Sequence, residues 1–360
     1  MHVGYGAAFQ QIDDEPDELF FRRELELCLL AESLGLDSVW LPEHHFSSYG
    51  LMPDPLQALA YVAARTTHVK LGTGVVVLPW HDPVLVAERF IQLDHLSEGR
   101  VVVGIGRGLA RGEFEGLRVP QDESRARFNE YAELLLQALE TGFVEGGELT
   151  RQPRRELRPR PFRSFRGRVF SASVSPESAP LMAKLGVGLV FANLKPAEAM
   201  RSELERYREA WAEEQGGEPP QPFLQTIVFV DESADRALEL ANRYGEASYH
   251  VSLEHYAMAA DDFGTAKGYE WYRELRVEPG TEFARAPDHY AKKTIYGTPD
   301  QVLERFDELK RALDMQGVFV LFHGAPGEDG ERNLRTFVQH CLPELKSWPA
   351  VSSLEEVAVA

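Results

Sequence analysis

The sequence predicts an α/β protein, a (β/α)8 barrel in one domain spanning residues 1–360, with insertions after the fourth helix and before the eighth strand. Three observations point there. Strand-like and helix-like segments alternate eight times along the chain. The strand segments are nearly continuous in apolar, often β-branched residues, as expected of parallel strands covered by helices. No dinucleotide glycine fingerprint follows the first strand, which disfavours an open doubly wound sheet.

The elements follow in order. Residues 3–9 read as the first strand, and apolar residues at helical spacing over 17–35 give a helix that stops at Gly35. A strand at 38–42 precedes the helical run "DPLQALAYVAART". One buried strand is expected over "HVKLGTGVVVLP", residues 68–79, then a helix ending at Gly99 and the strand "RVVVGIG". The alternation continues as helix 124–141, strand 168–174, helix 176–185, strand 187–192, helix 196–214 and strand 223–230. Helices near 233–258 and at 299–313, a strand at 317–323 and a helix from 331 complete the chain. Two segments exceed ordinary loop length: 143–167 and 259–296. The second carries Tyr269, Trp271, Tyr272 and His289 and is expected to cover the barrel mouth.

Composition narrows the function. The chain is 44% hydrophobic and 26% charged, ordinary for a globular protein, with 57 acidic against 38 basic side chains and a formal charge of -19. That balance repels phosphate backbones and anionic lipid, so neither nucleic acid nor membrane is an expected partner. The arginine-rich stretch 151–168 is the exception and reads as a solvated insertion. Cys28 and Cys341 are too few for a disulfide framework or a cysteine metal site, and no membrane-spanning run or leader is visible. A cytoplasmic location is expected.

In such a barrel, groups at the C-terminal ends of the strands share one rim whatever their separation in sequence. Three stretches fall there. "PEHHF", 42–46, gathers Glu43, His44 and His45 after the second strand; an imidazole exchanges protons near neutrality, and a neighbouring carboxylate can set its tautomer. A metal site is not expected, because further histidine and acidic ligands at suitable spacing are not evident. "VGIGRGLARGEF", 103–114, brings Gly104, Gly106 and Gly108 beside Arg107, whose guanidinium suits phosphate. "SASVSPESAPLMAKLG", 171–186, places Ser175 as an N-cap and Pro176 as the first helical residue, leaving the amides of Glu177 and Ser178 to receive an anion.

On these residues the chain resembles the bacterial luciferase-like flavin monooxygenases almost end to end. "GLDSVWLPEHHFSSYG", "LSEGRVVVGIGRGLARGEF", "SPES" and the later "YGTP" at 296–299 match that family in order. The resemblance implies a barrel that uses reduced FMN and O2, forms a flavin C4a-hydroperoxide and oxygenates a small organic substrate, with a separate flavin reductase and a homodimeric assembly. Carried over by position, Arg107 would hold the FMN phosphate with the amides of Glu177 and Ser178, beside Gly106, Gly108, Leu109 and Ser175. His44, with Glu43 and His45 around it, would handle protons near the flavin. Segment 259–296 matches the family's active-site loop. Two departures stand out: Gly106 replaces a cysteine, opening space beside the flavin ring, and Leu181 replaces a threonine near the phosphate. They make oxygenation of another substrate the expectation rather than light emission. Two alternatives stay open: a deazaflavin (F420)-dependent oxidoreductase on the same fold, and a non-catalytic flavin-binding partner subunit.

Overall fold

A computed structural model describes residues 1–175, 177–277, 294–322 and 328–354. Its strands are β1 (His2–Gly6), β2 (Ser38–Leu41), β3 (Lys70–Thr73), β4 (Val76–Val77), β5 (Val101–Gly106), β6 (Phe143–Gly146), β7 (Gln152–Glu156), β8 (Val169–Ser173), β9 (Gly188–Ala192), β10 (Phe223–Val230), β11 (Ile295–Gly297) and β12 (Gly317–Leu321). Eight of them, β1, β2, β3, β5, β8, β9, β10 and β12, pair in parallel and in that order. The ring closes at Gly317, which lies opposite His2 on one side and Phe223 on the other. The expected barrel is therefore present.

The barrel interior is filled by aromatic rings. Trp40, Phe170, Phe223 and Phe319 pack there with Val102, Val190 and Leu321, and Trp40 stacks on Phe319 with centroids 4.5 Å apart. Rings of this size need small neighbours on adjacent strands. A Cβ at Gly72 would collide with the Trp40 indole, and one at Gly188 would lie 2.5 Å from the Phe170 ring. The outer layer is aliphatic, formed where the helices lie against the strands.

The outer helices are α1 (Asp17–Ser33), α2 (Pro55–Ala63), α3 (Pro83–Leu96), α4 (Arg111–Gly116), α5 (Ser124–Thr141), α6 (Ser178–Leu185), α7 (Ala197–Glu214), α8 (Ala234–His255), α9 (Pro299–Leu313), α10 (Glu328–His340) and α11 (Leu342–Ser347). Three of them start with an acid or hydroxyl followed by proline. Asp54 accepts from the Gln57 amide, Asp82 from those of Val84 and Leu85, and Thr298 forms a capping box with Gln301. Under the barrel, Arg168 forks onto the fully buried Asp94 at 2.8 and 3.1 Å and also donates to the carbonyls of Val101 and Ser164. This pair fastens α3 to the start of β8.

Four expectations change. The strand foreseen over 68–79 is two, because the ladder with β2 stops at Thr73 and pairing with β5 resumes only at Val76. The first strand ends at Gly6, and Phe9 already has φ +50. The insertion 143–167 is not all loop: β6 and β7 pair as an antiparallel hairpin that carries exposed Arg154, while Arg168 turns inward to Asp94. "YGTP" supplies a short strand, β11, that pairs with β10 outside the ring. Of the long segment 259–296, residues 278–293, with His289, lie outside the described residues. Among the described residues, no helix is long and apolar enough to cross a membrane.

Truncating one partner of a buried pair strands the other charge, at a cost of about 3–5 kcal/mol. Asp94→Ala is therefore expected to lower unfolding stability by about that amount, read as a shift of the urea midpoint with unchanged slope.

Candidate active site

Successive side chains leaving a strand diverge, and the His44–His45 pair obeys that rule. His44 Nδ1 lies 3.1 Å from Glu113 Oε1, whereas His45 Nε2 lies 3.2 Å from Glu43 Oε1. Glu43 is buried and further engaged by His81 Nε2 at 2.6 Å and by the Val77 amide at 2.7 Å. Burial raises its pKa, but these donors outweigh that and hold it below the usual carboxylate range. Glu43 thus ties the β2 exit to the β4 segment, with His45 and His81 as its two imidazole partners.

Glu113 organises the other half. It sits in the first turn of α4, just after β5, and is buried. Its Oε1 accepts from the His45 amide at 2.8 Å as well as from His44, and its Oε2 lies 3.5 Å from Nε2 of His255, the last residue of α8. His255 Nδ1 meets Ser47 Oγ at 2.7 Å, and Tyr49 stacks flat on the His255 ring with centroids 4.5 Å apart. Burial pushes Glu113 up, but the imidazoles of His255 and His44 overcome it and hold the carboxyl at about 2. Burial lowers His255, favouring its neutral form. In a neutral His44 ring, the carboxylate against Nδ1 selects the tautomer with the proton on that nitrogen. Gly50 allows this placement, since a Cβ there would lie 2.9 Å from that of His44. The ligand atoms of His44, Glu113 and His255 fall within 4.8 Å of one another. The extra metal-type ligands not evident along the sequence thus arrive by folding, although hydrogen bonds already use both His44 Nδ1 and Glu113 Oε1.

The second cluster is cationic. Arg107 leaves β5 with its guanidinium 3.9 Å over the Tyr269 ring and donates through Nη1 to the Gly268 carbonyl at 2.7 Å. Arg125, near the start of α5, stands close by: burial and the charge of Arg107 lower its pKa. Its buried Nη2 makes no hydrogen bond, and the nearest carboxylate, Glu177, is 4.0 Å away. Leu109 and Val174 pack against the Tyr269–Tyr272 cluster, so the β5 and β8 exits meet under the same segment. Ser173 Oγ, at the end of β8, is also buried without a partner.

A cavity of about 430 Å³ is walled by Tyr256 and Tyr269, which contact the two clusters, whereas His44, Glu113, Arg107 and Arg125 do not themselves line it; Arg111, Gln121 and Asp122 give it a polar side. Its lining includes Leu109, Phe114, Phe263, Tyr269, which Arg107 covers, and Tyr256, which packs on Tyr49 and His255.

The comparisons with known proteins bear on this arrangement. The sequence profile of luciferase-like monooxygenases matches residues 1–316. The chain belongs to the luciferase-like monooxygenase family. It is 25% identical over 340 residues to an alkanal monooxygenase alpha chain from Photobacterium leiognathi, covering 92% of this chain and 95% of the relative. It is 28% identical over 323 residues to limonene 1,2-monooxygenase from Rhodococcus erythropolis, covering 86% and 77%. Among solved structures, monooxygenase RslO1 from Streptomyces bottropensis superposes with a TM-score of 0.77 at 26% identity, covering 96% of this chain and 99% of that one. Two others share the fold alone. They are the oxygenating constituent of 3,6-diketocamphane monooxygenase from Pseudomonas putida, in complex with FMN (TM-score 0.72, 19% identity, 96% and 99% covered), and an F420-dependent secondary alcohol dehydrogenase (0.71, 16%, 99% and 99%).

Within this luciferase-like chain, several expected site residues sit differently from the sequence reading. Helix α6 starts at Ser178, not at 176, and the Ser178 amide donates to the Ser175 carbonyl at 3.0 Å, so it is not an open donor. Ser175 Oγ pairs with Ser178 Oγ at 2.9 Å and caps no amide of α6. The turn closes on itself because its own i to i+3 bond is available. Pro176 lies outside the described residues. The space expected beside Gly106 is taken by Val75, with which a Cβ there would collide, and Gly108 (φ +80) sits against Val77 and Trp80. Leu181 packs against the outer core. Glu113, His255, Arg125 and His81 were missed. Glu113 lies in the stretch 103–114, where the glycines and Arg107 carry the stronger local signal. Arg125 stands at the start of α5, and its place on the helix that follows the β5 exit is the available signal. His255 carries no local signal.

Glu113 has a folded pKa below its unfolded value, so the stability it contributes is complete above about pH 4.5 and is lost as pH falls toward about 2. Wild type should therefore lose stability across that window more steeply than Glu113→Gln, measured by urea midpoints at each pH; parallel curves would refute the assignment.

Proposed function

We propose that this protein is a monooxygenase that uses reduced FMN and O2 to place one oxygen atom on a small organic substrate, with the reduced flavin delivered by a separate reductase. The observation that carries the reading is that the strand exits of one barrel mouth hold both an imidazole against a buried carboxylate, His44 with Glu113, and two neighbouring guanidiniums, Arg107 and Arg125. The residues fit a phosphate-bearing flavin: Arg125 Nη2 is buried without a hydrogen bond, and Arg107 retains donors beyond the one given to Gly268. Reduced FMN would supply two electrons and two protons, so that one atom of O2 enters the substrate and the other leaves as water.

The chain's own part is binding, orientation and proton control. Arg107 and Arg125 would hold the cofactor phosphate through their free donors. His44 accepts or returns a proton at Nε2 while Glu113 stabilises the imidazolium that forms when it does. The aromatic roof of Phe263, Tyr269 and Tyr272 keeps water from the reacting centre. The apolar side chains lining the neighbouring cavity, Leu109, Phe114 and Phe263, suit an organic substrate.

Three measurements test this. His44→Ala should slow turnover by about 10²- to 10⁴-fold with FMN affinity retained, the usual contribution of a positioned acid/base. Arg125→Ala and Arg107→Ala should each weaken FMN binding while riboflavin, which lacks the phosphate, binds the variants as it binds wild type. With isotopically labelled O2, one labelled atom should appear in product; unlabelled product would transfer the case to hydride chemistry on the same fold.

A further inference from the structure

The two arginines are not open to solvent on every side. Segment 267–269 packs against them. The Gly268 carbonyl accepts from Arg107 Nη1 at 2.7 Å, and a Cβ on Gly268 would lie 3.0 Å from that nitrogen and 3.9 Å from Arg125 Cβ. The segment is fastened at both ends. On one side the Lys267 amide donates to Asp122 Oδ1 at 2.9 Å; on the other the Tyr269 hydroxyl donates to the Gly108 carbonyl at 2.8 Å, and the ring, almost fully buried, lies under the Arg107 guanidinium. Tyr269 also packs with Leu109 and Val174, one from each of the strand exits that frame the anion site.

We propose that Gly268 and Tyr269 form an end-stop that selects the cofactor by its phosphate: a flavin ending in a phosphomonoester is accepted, and one whose phosphate continues as a diester is rejected. This rests on the flavin reading above and deepens it. A terminal phosphate needs only charge and donors, which Arg107 and Arg125 supply. A phosphate esterified on its far side must pass a second substituent through the place where residues 267–269 bridge Asp122 and Gly108. That passage requires breaking the Tyr269–Gly108 or Lys267–Asp122 hydrogen bond and lifting a buried aromatic ring, costs the monoester does not meet. The same stop applies to FAD and to a deazaflavin carrying a phosphodiester tail. Tyr269 acts through the shape of the site and not on the reacting atoms; it is a specificity-determining residue.

The test is equilibrium binding of FMN and FAD, oxidised and, under anaerobic conditions, reduced, to wild type, Tyr269→Ala and Asp122→Ala. The ratio of the two affinities within one preparation is the readout, because partial misfolding lowers both equally and leaves it unchanged. Wild type should favour FMN by about 100-fold, falling to within about 10-fold in Tyr269→Ala, the scale on which shaped pockets discriminate. Asp122→Ala, at an exposed position that touches neither arginine, should lower the ratio in the same direction. Equal binding of FMN and FAD by wild type overturns the end-stop, as does a wild-type preference that both variants retain. Failure of wild type to bind FMN or FAD in either oxidation state overturns the flavin reading itself.

Discussion

Everything at the mouth of this protein depends on closure of the ring at Gly317. Until β12 pairs with both β1 and β10, the exits of β2, β5 and β8 have no reason to face one another. Closure is in turn a packing problem. The interior holds Trp40, Phe170, Phe223 and Phe319, and these rings fit because glycines stand on neighbouring strands where side chains would intrude. The rim that collects the chemistry is thus set by the shapes of residues that take no part in it.

At that rim a single buried carboxylate decides the roles of two adjacent histidines. His44 and His45 are equivalent by sequence, but only His44 reaches Glu113 with its ring; His45 reaches it with its backbone amide and gives its ring to Glu43. Glu113 remains ionised despite burial because two imidazoles and an amide converge on it. The His255 side, with Ser47 and Tyr49, holds the carboxylate from the helix that leads into the covering segment, so proton chemistry and the roof share a support.

The cationic cluster shows the complementary logic. Two guanidiniums close together repel, and Arg107 is partly compensated by the Tyr269 ring face and a carbonyl. Arg125 Nη2 is buried without a hydrogen bond, its carboxylate partner Glu177 standing 4.0 Å away. A buried donor without a hydrogen bond is costly, and on the proposed reading that donor is where the cofactor phosphate would bind.

Much of this was legible along the chain. The alternation of apolar strands with helices, the Asp-Pro and Thr-Pro helix starts, and the placement of "PEHHF", "GRG" and "SPES" after the second, fourth and fifth barrel strands follow from local patterns, because period and capping are properties of neighbouring residues. The hairpin within the arginine-rich insertion, the break at Gly74–Val75 and the true start of α6 were not legible, since each is settled by a pairing or turn closure that competes with local propensity. Nor were the partners of the imidazoles. Glu113 lies 69 residues from His44, and Ser47 lies 208 from His255, so only the closed barrel brings them within hydrogen-bonding distance. The sequence by itself determined the elements and which residues stand at the rim; the tertiary structure alone decided which of them touch, because contact between side chains from different strands depends on ring closure and not on spacing along the chain.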